Sequence, residues 1–219
     1  MEFIGLLAVT IVLGLRHGID YDHIAALADI TGGSTGSKKE RMKLSLWYAV
    51  GHEAVVFTLG CSILLFAWSV PVWVDDLMGK AVGLTLIFMA ILMLISRKKG
   101  SATYWSRGIT AFQKLRRSKS EPFTFTRRNV FTIGIIHGIG AETPTQLLLF
   151  TTIAGVAATS NGLFAVAAFS FGLLISHALI AIVSIWSHDL ARKIRPIFPF
   201  TMYAACLFSF ILGVSYLIE

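Results

Sequence analysis

Residues 14–23 read Gly-Leu-Arg-His-Gly-Ile-Asp-Tyr-Asp-His, and this stretch decides the fold because its ionisable side chains lie inside an apolar run. Residues 134–142, which begin 120 positions later, repeat its spacing as Gly-Ile-Ile-His-Gly-Ile-Gly-Ala-Glu. Imidazole and carboxylate groups are costly at membrane depth, where they usually face a partner, a cavity or an ion path. A duplicated pattern of this kind indicates a site that two halves of the chain share.

The composition is typical of an integral membrane protein. Hydrophobic residues make up 55% of the 219 residues, charged residues 14%, and the mean hydropathy is +0.73. Each apolar run is close to the ~20 residues that a helix needs to cross the hydrocarbon core. We therefore predict an all-α integral membrane protein with a single transmembrane domain over residues 1–219. Its six helices are expected at about 3–29, 44–70, 77–96, 129–157, 160–187 and 196–218.

The net charge of +7 is a topology signal. All of the 19 basic residues except Arg16 and Lys80 fall in three loops, which follow the first, third and fifth predicted helices. With six spans these loops lie on one side, and the positive-inside rule makes that side cytoplasmic. We therefore expect a multi-pass protein of the inner (cytoplasmic) membrane with both termini outside, and no nucleic-acid partner.

The longest loop, residues 97–128, is strongly basic. Trp105, Ile109, Phe112 and Leu115 recur in it at roughly helical spacing. This pattern fits a short amphipathic helix on the inner leaflet, and a solvated basic loop fits it equally well. Neither interpretation makes the loop part of a catalytic site.

The repeat extends beyond the first helix of each half. His52 lies in the second predicted helix, and His177 lies in the fifth. Because three spans per half is an odd number, the second half must run opposite to the first, as in the 3+3 inverted repeats of many secondary transporters. The halves would cover about 1–96 and 129–219, joined by the basic loop. Chance similarity of short Gly- and Ile-rich strings is the alternative.

The two motifs make different local predictions. On an unbroken helix His17, Asp20 and His23 form one stripe, and Asp22 points away from it. Either Asp22 partners another group, or the helix unwinds near Gly18, whose missing side chain permits that.

In the second motif, Pro144 lacks an amide hydrogen and disfavours helical geometry at Thr143. This predicts a helix that is broken just after Glu142. Irregular backbone at membrane depth is tolerated where it lines a cavity.

The ionisable residues at membrane depth form a candidate metal site. Several imidazoles with a few carboxylates suit Ni, Co, Zn or Cu better than Mg or Ca, and Cys61 and Cys206 stand apart as packing residues. His188 is left out because it lies at a helix end beside Asp189, and Glu53 is either a partner of a ligand or a bystander. The predicted ligands are His17, Asp20, Asp22, His23, His52, His137, Glu142 and His177.

At these residues the chain resembles the nickel/cobalt transporter family. Residues 16–24 resemble its H-x4-D-H signature, and residues 50–56 are similar to its leucine-glycine-histidine segment in the next helix. Residues 140–146 resemble its G-F-D-T-A-T-E motif, with Glu142 where that motif has Asp. The resemblance implies high-affinity transport of Ni²⁺ or Co²⁺ that depends on His17, Asp22 and His23. It also implies a setting near urease or hydrogenase maturation.

The chain departs from the family pattern in three respects. Members with these signatures usually have eight spans, and this chain has room for six. Gln146 stands where the family motif ends in Glu. Exporters of the wider group tend to carry a His-rich cytoplasmic loop, whereas residues 97–128 contain no His, and this favours uptake.

The leading hypothesis is a secondary transporter for Ni²⁺ or Co²⁺, with the ion as substrate and no cofactor. No nucleotide-binding motif is present, so the driving force would be the membrane potential, a proton gradient or a separate ATPase. An exporter of the same fold is one alternative. A membrane-embedded metalloenzyme that uses the same residues is another, although His52-Glu53 does not continue into an H-E-x-x-H motif. A scaffold that binds metal only structurally is the third. No oligomeric state is predicted.

Overall fold

The computed structural model describes residues 2–34, 36–66, 72–96, 125–140, 149–150, 152–153, 159–194 and 197–218. Over these ranges the chain is helical and contains no strand, which confirms the predicted all-α class. The longer helices are α1 (Glu2–His17), α2 (Tyr21–Gly33), α3 (Lys38–Phe66), α4 (Val72–Ser96), α5 (Arg127–Gly140), α6 (Thr159–Lys193) and α7 (Ile197–Ile218).

The first predicted span is broken within the H-x4-D-H motif. Helix α1 ends at His17, residues 18–20 form a turn, and α2 begins at Tyr21 with its axis bent by 58°. Asp20 precedes α2 with extended backbone angles, φ −64° and ψ 151°. Of the two alternatives for this motif, the structure therefore shows the helix that unwinds near Gly18.

Several other helices are long and apolar enough to cross a membrane. They are α3, α6 and the segment Pro199–Ile218 of α7, and the bent pair α1 and α2 qualifies as a fourth span. Helix α4 contributes a shorter apolar segment, Gly79–Ile91. The protein is therefore a multi-pass membrane protein, and the described residues account for up to four of the six predicted spans. The predicted break after Glu142 lies outside the described residues, as does most of the loop 97–128.

Two pairs of helices approach closely through glycine. A Cβ atom on Gly14 of α1 would collide with the carbonyl oxygen of Phe169 on α6. A Cβ atom on Gly134 of α5 would collide in the same way with the carbonyl oxygen of Tyr48 on α3. Small residues permit this contact between backbones in membrane helices. The ends of α1 and α5 are therefore held against the middle of two long helices.

Two apolar clusters enclose the space between these helix pairs. One contains Ala25, Ala26 and Tyr48 together with side chains of α4 and α5. The other joins α3 to α6 around Phe169 and Leu173. The predicted histidine ligands of both halves are buried, with at most 5% of their surface exposed.

Candidate metal centre

Three histidines from three helices converge at the break in the first span. His17 ends α1, His23 lies in the first turn of α2, and His52 lies in the middle of α3. Each offers one ring nitrogen, and the three nitrogens lie within 4.8 Å of one another. Because His17 is 5% exposed and the other two are fully buried, the group forms a dry nitrogen-lined position.

His177 of α6 lies next to this group, beside His23 and His52. Its ring centroid lies 4.9 Å from that of His23 and 5.2 Å from that of His52. Glu53 of α3 stands beside it, with Oε1 3.8 Å from Nδ1 of His177. The structure thus brings together four of the five predicted histidine ligands as neighbouring rings and places Glu53 at their edge.

The two aspartates of the first motif lie against different histidines. Asp20 Oδ2 is 3.3 Å from His17 Nδ1, and the Asp20 side chain is 35% exposed. Asp22 Oδ2 is 3.5 Å from His23 Nδ1, and Asp22 is 3% exposed. The break in the helix therefore lets both carboxylates reach the histidine group, which an unbroken helix would prevent. A carboxylate in this place orients an imidazole or binds an ion itself.

His137 differs from the other histidines because hydroxyl groups occupy both of its nitrogens. Its Nδ1 shares a hydrogen bond of 3.0 Å with the Tyr48 hydroxyl. Its Nε2 shares one of 2.5 Å with Oγ1 of Thr85 on α4. Neither nitrogen is available to an ion in this conformation. Glu142, the other predicted ligand of the second half, lies outside the described residues.

Tyr48 is a site residue that the sequence analysis did not single out. Its hydroxyl lies between His137 and His23, 3.5 Å from Nδ1 of the latter, and its ring stacks near His52. It precedes His52 by four residues, so the two share one face of α3. That spacing is the sequence signal that places Tyr48 beside the site.

The remaining ring nitrogens of the group form no hydrogen bond among the described residues, although carboxylates lie near two of them. Both nitrogens of His17, His52 and His177, and Nε2 of His23, are buried without a hydrogen bond there. Buried polar groups are nearly always hydrogen-bonded, so such a concentration calls for an explanation. Imidazole nitrogens with adjacent carboxylates form a donor set suited to a divalent transition metal. A bound ion would supply the missing partner.

Known proteins with similar sequences carry descriptions that match this chemistry. The chain is 25% identical over 70% of its length to the urease accessory protein UreH of Bacillus sp. strain TB-90, and it covers 65% of that protein. It is 28% identical over 69% of its length to the nickel transporter NixA of Staphylococcus aureus, of which it covers 50%. It is 26% identical over 86% of its length to a candidate nickel/cobalt efflux system of Methanocaldococcus jannaschii, of which it covers 80%.

The chain spans only about half to two thirds of the length of UreH and NixA. No family model matches it, and no solved structure matches it. These relatives are transporters or an accessory protein rather than enzymes, in agreement with the expectation that the chain is not an enzyme. The predicted resemblance is confirmed: the chain is similar in sequence to a nickel transporter and to a candidate nickel/cobalt efflux system.

Proposed function

We propose that the protein transports a divalent transition metal ion, Ni²⁺ or Co²⁺, across the inner membrane. The observation that carries this proposal is the convergence of His17, His23 and His52, whose nitrogens lie within 4.8 Å of one another. Imidazoles at this site would replace part of the water shell of the ion, with Asp20 and Asp22 balancing its charge. His177 would complete the shell from α6. We assign His137 to orienting Tyr48, and Glu142 remains a predicted ligand.

The packing supports a 3+3 inverted repeat with the site at the interface of the halves. Gly14 on α1 meets the backbone of Phe169 and Leu173 on α6, and Gly134 on α5 meets that of Tyr48 and His52 on α3. The two glycines are 120 positions apart in the sequence. Their contact residues are related by a similar shift, because Phe169 follows Tyr48 by 121 positions and Leu173 follows His52 by 121. In this register Leu173 corresponds to His52, so His177 lies one turn further along its helix.

We propose inward transport driven by the membrane potential. A divalent cation that moves inward gains ~4.6 kcal/mol per 100 mV, twice the value for a single charge. No histidine occurs in residues 97–128, which supports uptake on the argument given above. With both termini outside, the basic loops would face the cytoplasm. The similarity to a urease accessory protein supports a role in supplying nickel to urease or hydrogenase maturation.

Export by the same site is the second candidate. The chain covers 80% of the length of the candidate nickel/cobalt efflux system of Methanocaldococcus jannaschii. Export would use the same ligands with the opposite order of loading and release. The two directions are distinguished by an oriented transport assay.

Transport of ⁶³Ni²⁺ and ⁵⁷Co²⁺ into proteoliposomes, with an imposed inside-negative potential, tests the proposal. We expect saturable accumulation in wild type and none in His52→Ala. Ser62→Ala is the matched control on the same helix, because among the described residues the Ser62 hydroxyl donates to the backbone carbonyl of Thr58. If purified wild-type protein moved no divalent metal in either direction, the transporter proposal would be wrong. If the protein moved the ion only in the outward direction, we would replace the proposal of uptake by one of export.

A further inference from the structure

Asp29 is a buried carboxylate that lies away from the histidine group. It lies on α2, is 0% exposed, and neither of its oxygens has a hydrogen-bond partner among the described residues. Ser209 of α7 is its polar neighbour, and the fully buried Ser209 hydroxyl likewise forms no hydrogen bond of normal geometry there. Burying polar groups without partners is costly, and an ionisable residue at membrane depth marks an ion path by default. This pair therefore calls for a ligand.

The position of Asp29 on α2 relates it to the metal site. It follows Asp22 by seven residues, so both carboxylates lie on one helix face, about 10 Å apart along the axis. The residues between them on that face are Ala25 and Ala26, and the face continues to Gly32. Helix α2 thus carries carboxylates separated only by small side chains, from the histidine group toward the basic end near Lys38 and Arg41.

This helix face is closed in the present conformation. Leu86 and Met89 of α4 belong to the same apolar cluster as Ala25 and Ala26. A Cβ atom on Gly32 would meet Cε of Met93 at 2.5 Å and Nε2 of His188 on α6 at 2.8 Å, so these two side chains cover the last part of the face. Side chains of α4 and α6 therefore close this face, with Ser209 of α7 beside Asp29, and exposing it requires α2 to separate from these helices.

We propose that Asp29 and Ser209 form a second binding position for the transported divalent cation, occupied between the histidine site and release at the basic end of α2. This inference rests on the proposed transport function. Oxygen ligands hold Ni²⁺ or Co²⁺ less tightly than a set of imidazoles does, so the ion would pass from a tight site to a weaker one. Conduction needs such multi-site binding, because an ion held only at one tight site leaves slowly.

Equilibrium dialysis of the purified protein with Co²⁺, together with the proteoliposome assay, tests this inference. We expect wild type to bind a tight ion and a weaker one. Asp29→Asn, which keeps the side-chain shape and removes the charge, should lose the weaker ion and transport about tenfold more slowly, the loss typical of a metal-site partner. His52→Ala should lose the tight ion and keep the weaker one. Ser209→Ala should weaken the second ion to a smaller extent.

Asp76→Asn is the matched control, because Asp76 is 54% exposed and paired with Lys80, and it should retain both ions. Thermal unfolding of each variant checks that the fold is intact. Unchanged binding in Asp29→Asn would overturn the inference, as would loss of the tight ion together with the weak one. If wild type transported no metal, the proposed function would fail, and dialysis would still decide whether Asp29 binds a cation.

Discussion

The two copies of the Gly-x-x-His motif have different surroundings. In the first copy the helix breaks after His17, and neither ring nitrogen of that histidine forms a hydrogen bond among the described residues, although Asp20 lies beside Nδ1. In the second copy, His137 lies within a continuous helix, and hydroxyls of Tyr48 and Thr85 occupy its two nitrogens. The same spacing therefore places the His17 imidazole where an ion can bind, and the His137 imidazole where it orients the Tyr48 ring. A repeated motif predicts equivalent positions in the fold, and the chemistry depends on what each position faces.

The largest expected effect is the difference between the two motif histidines. His17→Ala removes a nitrogen from the three-histidine group, and we expect its affinity for Ni²⁺ to fall by at least ~100-fold, beyond the loss typical of a partner residue. His137→Ala should reduce affinity by only ~10-fold, because it acts through Tyr48. Isothermal titration of both purified variants measures the difference. Equal losses would contradict the assignment of different roles.

Tyr48→Phe sharpens the same comparison. The substitution removes the hydroxyl that lies between His137 and His23, and we expect an affinity loss close to that of His137→Ala, again ~10-fold. Because both residues act through one hydrogen bond, the double variant should be little worse than either single variant. A double-mutant cycle of Ni²⁺ affinities measures this coupling. Additive losses would mean that His137 reaches the ion independently of Tyr48.

The glycine contacts test whether the two halves are built alike. Gly14→Ala and Gly134→Ala each place a methyl group against a carbonyl oxygen of the facing helix. We expect each to destabilise the fold by about 1–3 kcal/mol, the range for overpacking, and by similar amounts. Gly5→Ala is the control, because no atom of the described part of the chain lies within 4 Å of a Cβ atom there. Unequal thermal shifts for Gly14→Ala and Gly134→Ala would contradict the symmetry of the two contacts.

Thr85→Val should give the smallest effect. It removes the hydroxyl on Nε2 of His137 and keeps the shape of the side chain, while the bond to Tyr48 remains. We expect a loss of ~0.5–1.5 kcal/mol in the stability of the fold, the net value of one hydrogen bond, and a change in affinity of less than ~3-fold. Thermal unfolding and metal titration of one preparation measure both. If Thr85→Val lowered the affinity for Ni²⁺ as much as His17→Ala does, Nε2 of His137 would face the ion.

The sequence predicted the helical class and the four histidines that lie together. Both predictions depend on local features, namely the length of each apolar run and the free-energy cost of placing an ionisable side chain in it. It left the first motif open between two conformations. In the folded protein the break packs against Ser176 and Leu173 of α6, which leave no room for a side chain at Gly18 and lie more than 150 positions away in the sequence. Tyr48 was missed because a tyrosine in an apolar helix is ordinarily a packing residue. Asp29 was missed because its burial without a hydrogen bond depends on which side chains of other helices surround it, and the sequence does not show this.

The break between α1 and α2 also has an electrostatic consequence. Each half-helix ends at the site, and a helix end carries about half an elementary charge, negative at the C-terminus and positive at the N-terminus. The C-terminus of α1, at His17, therefore attracts a cation, whereas the N-terminus of α2 would repel it. Asp20 and Asp22, at the cap and in the first turn of α2, offset that repulsion. A continuous helix would have placed both ends at the membrane surfaces, whereas the break, together with Asp20 and Asp22, leaves the attractive C-terminus of α1 facing the histidines.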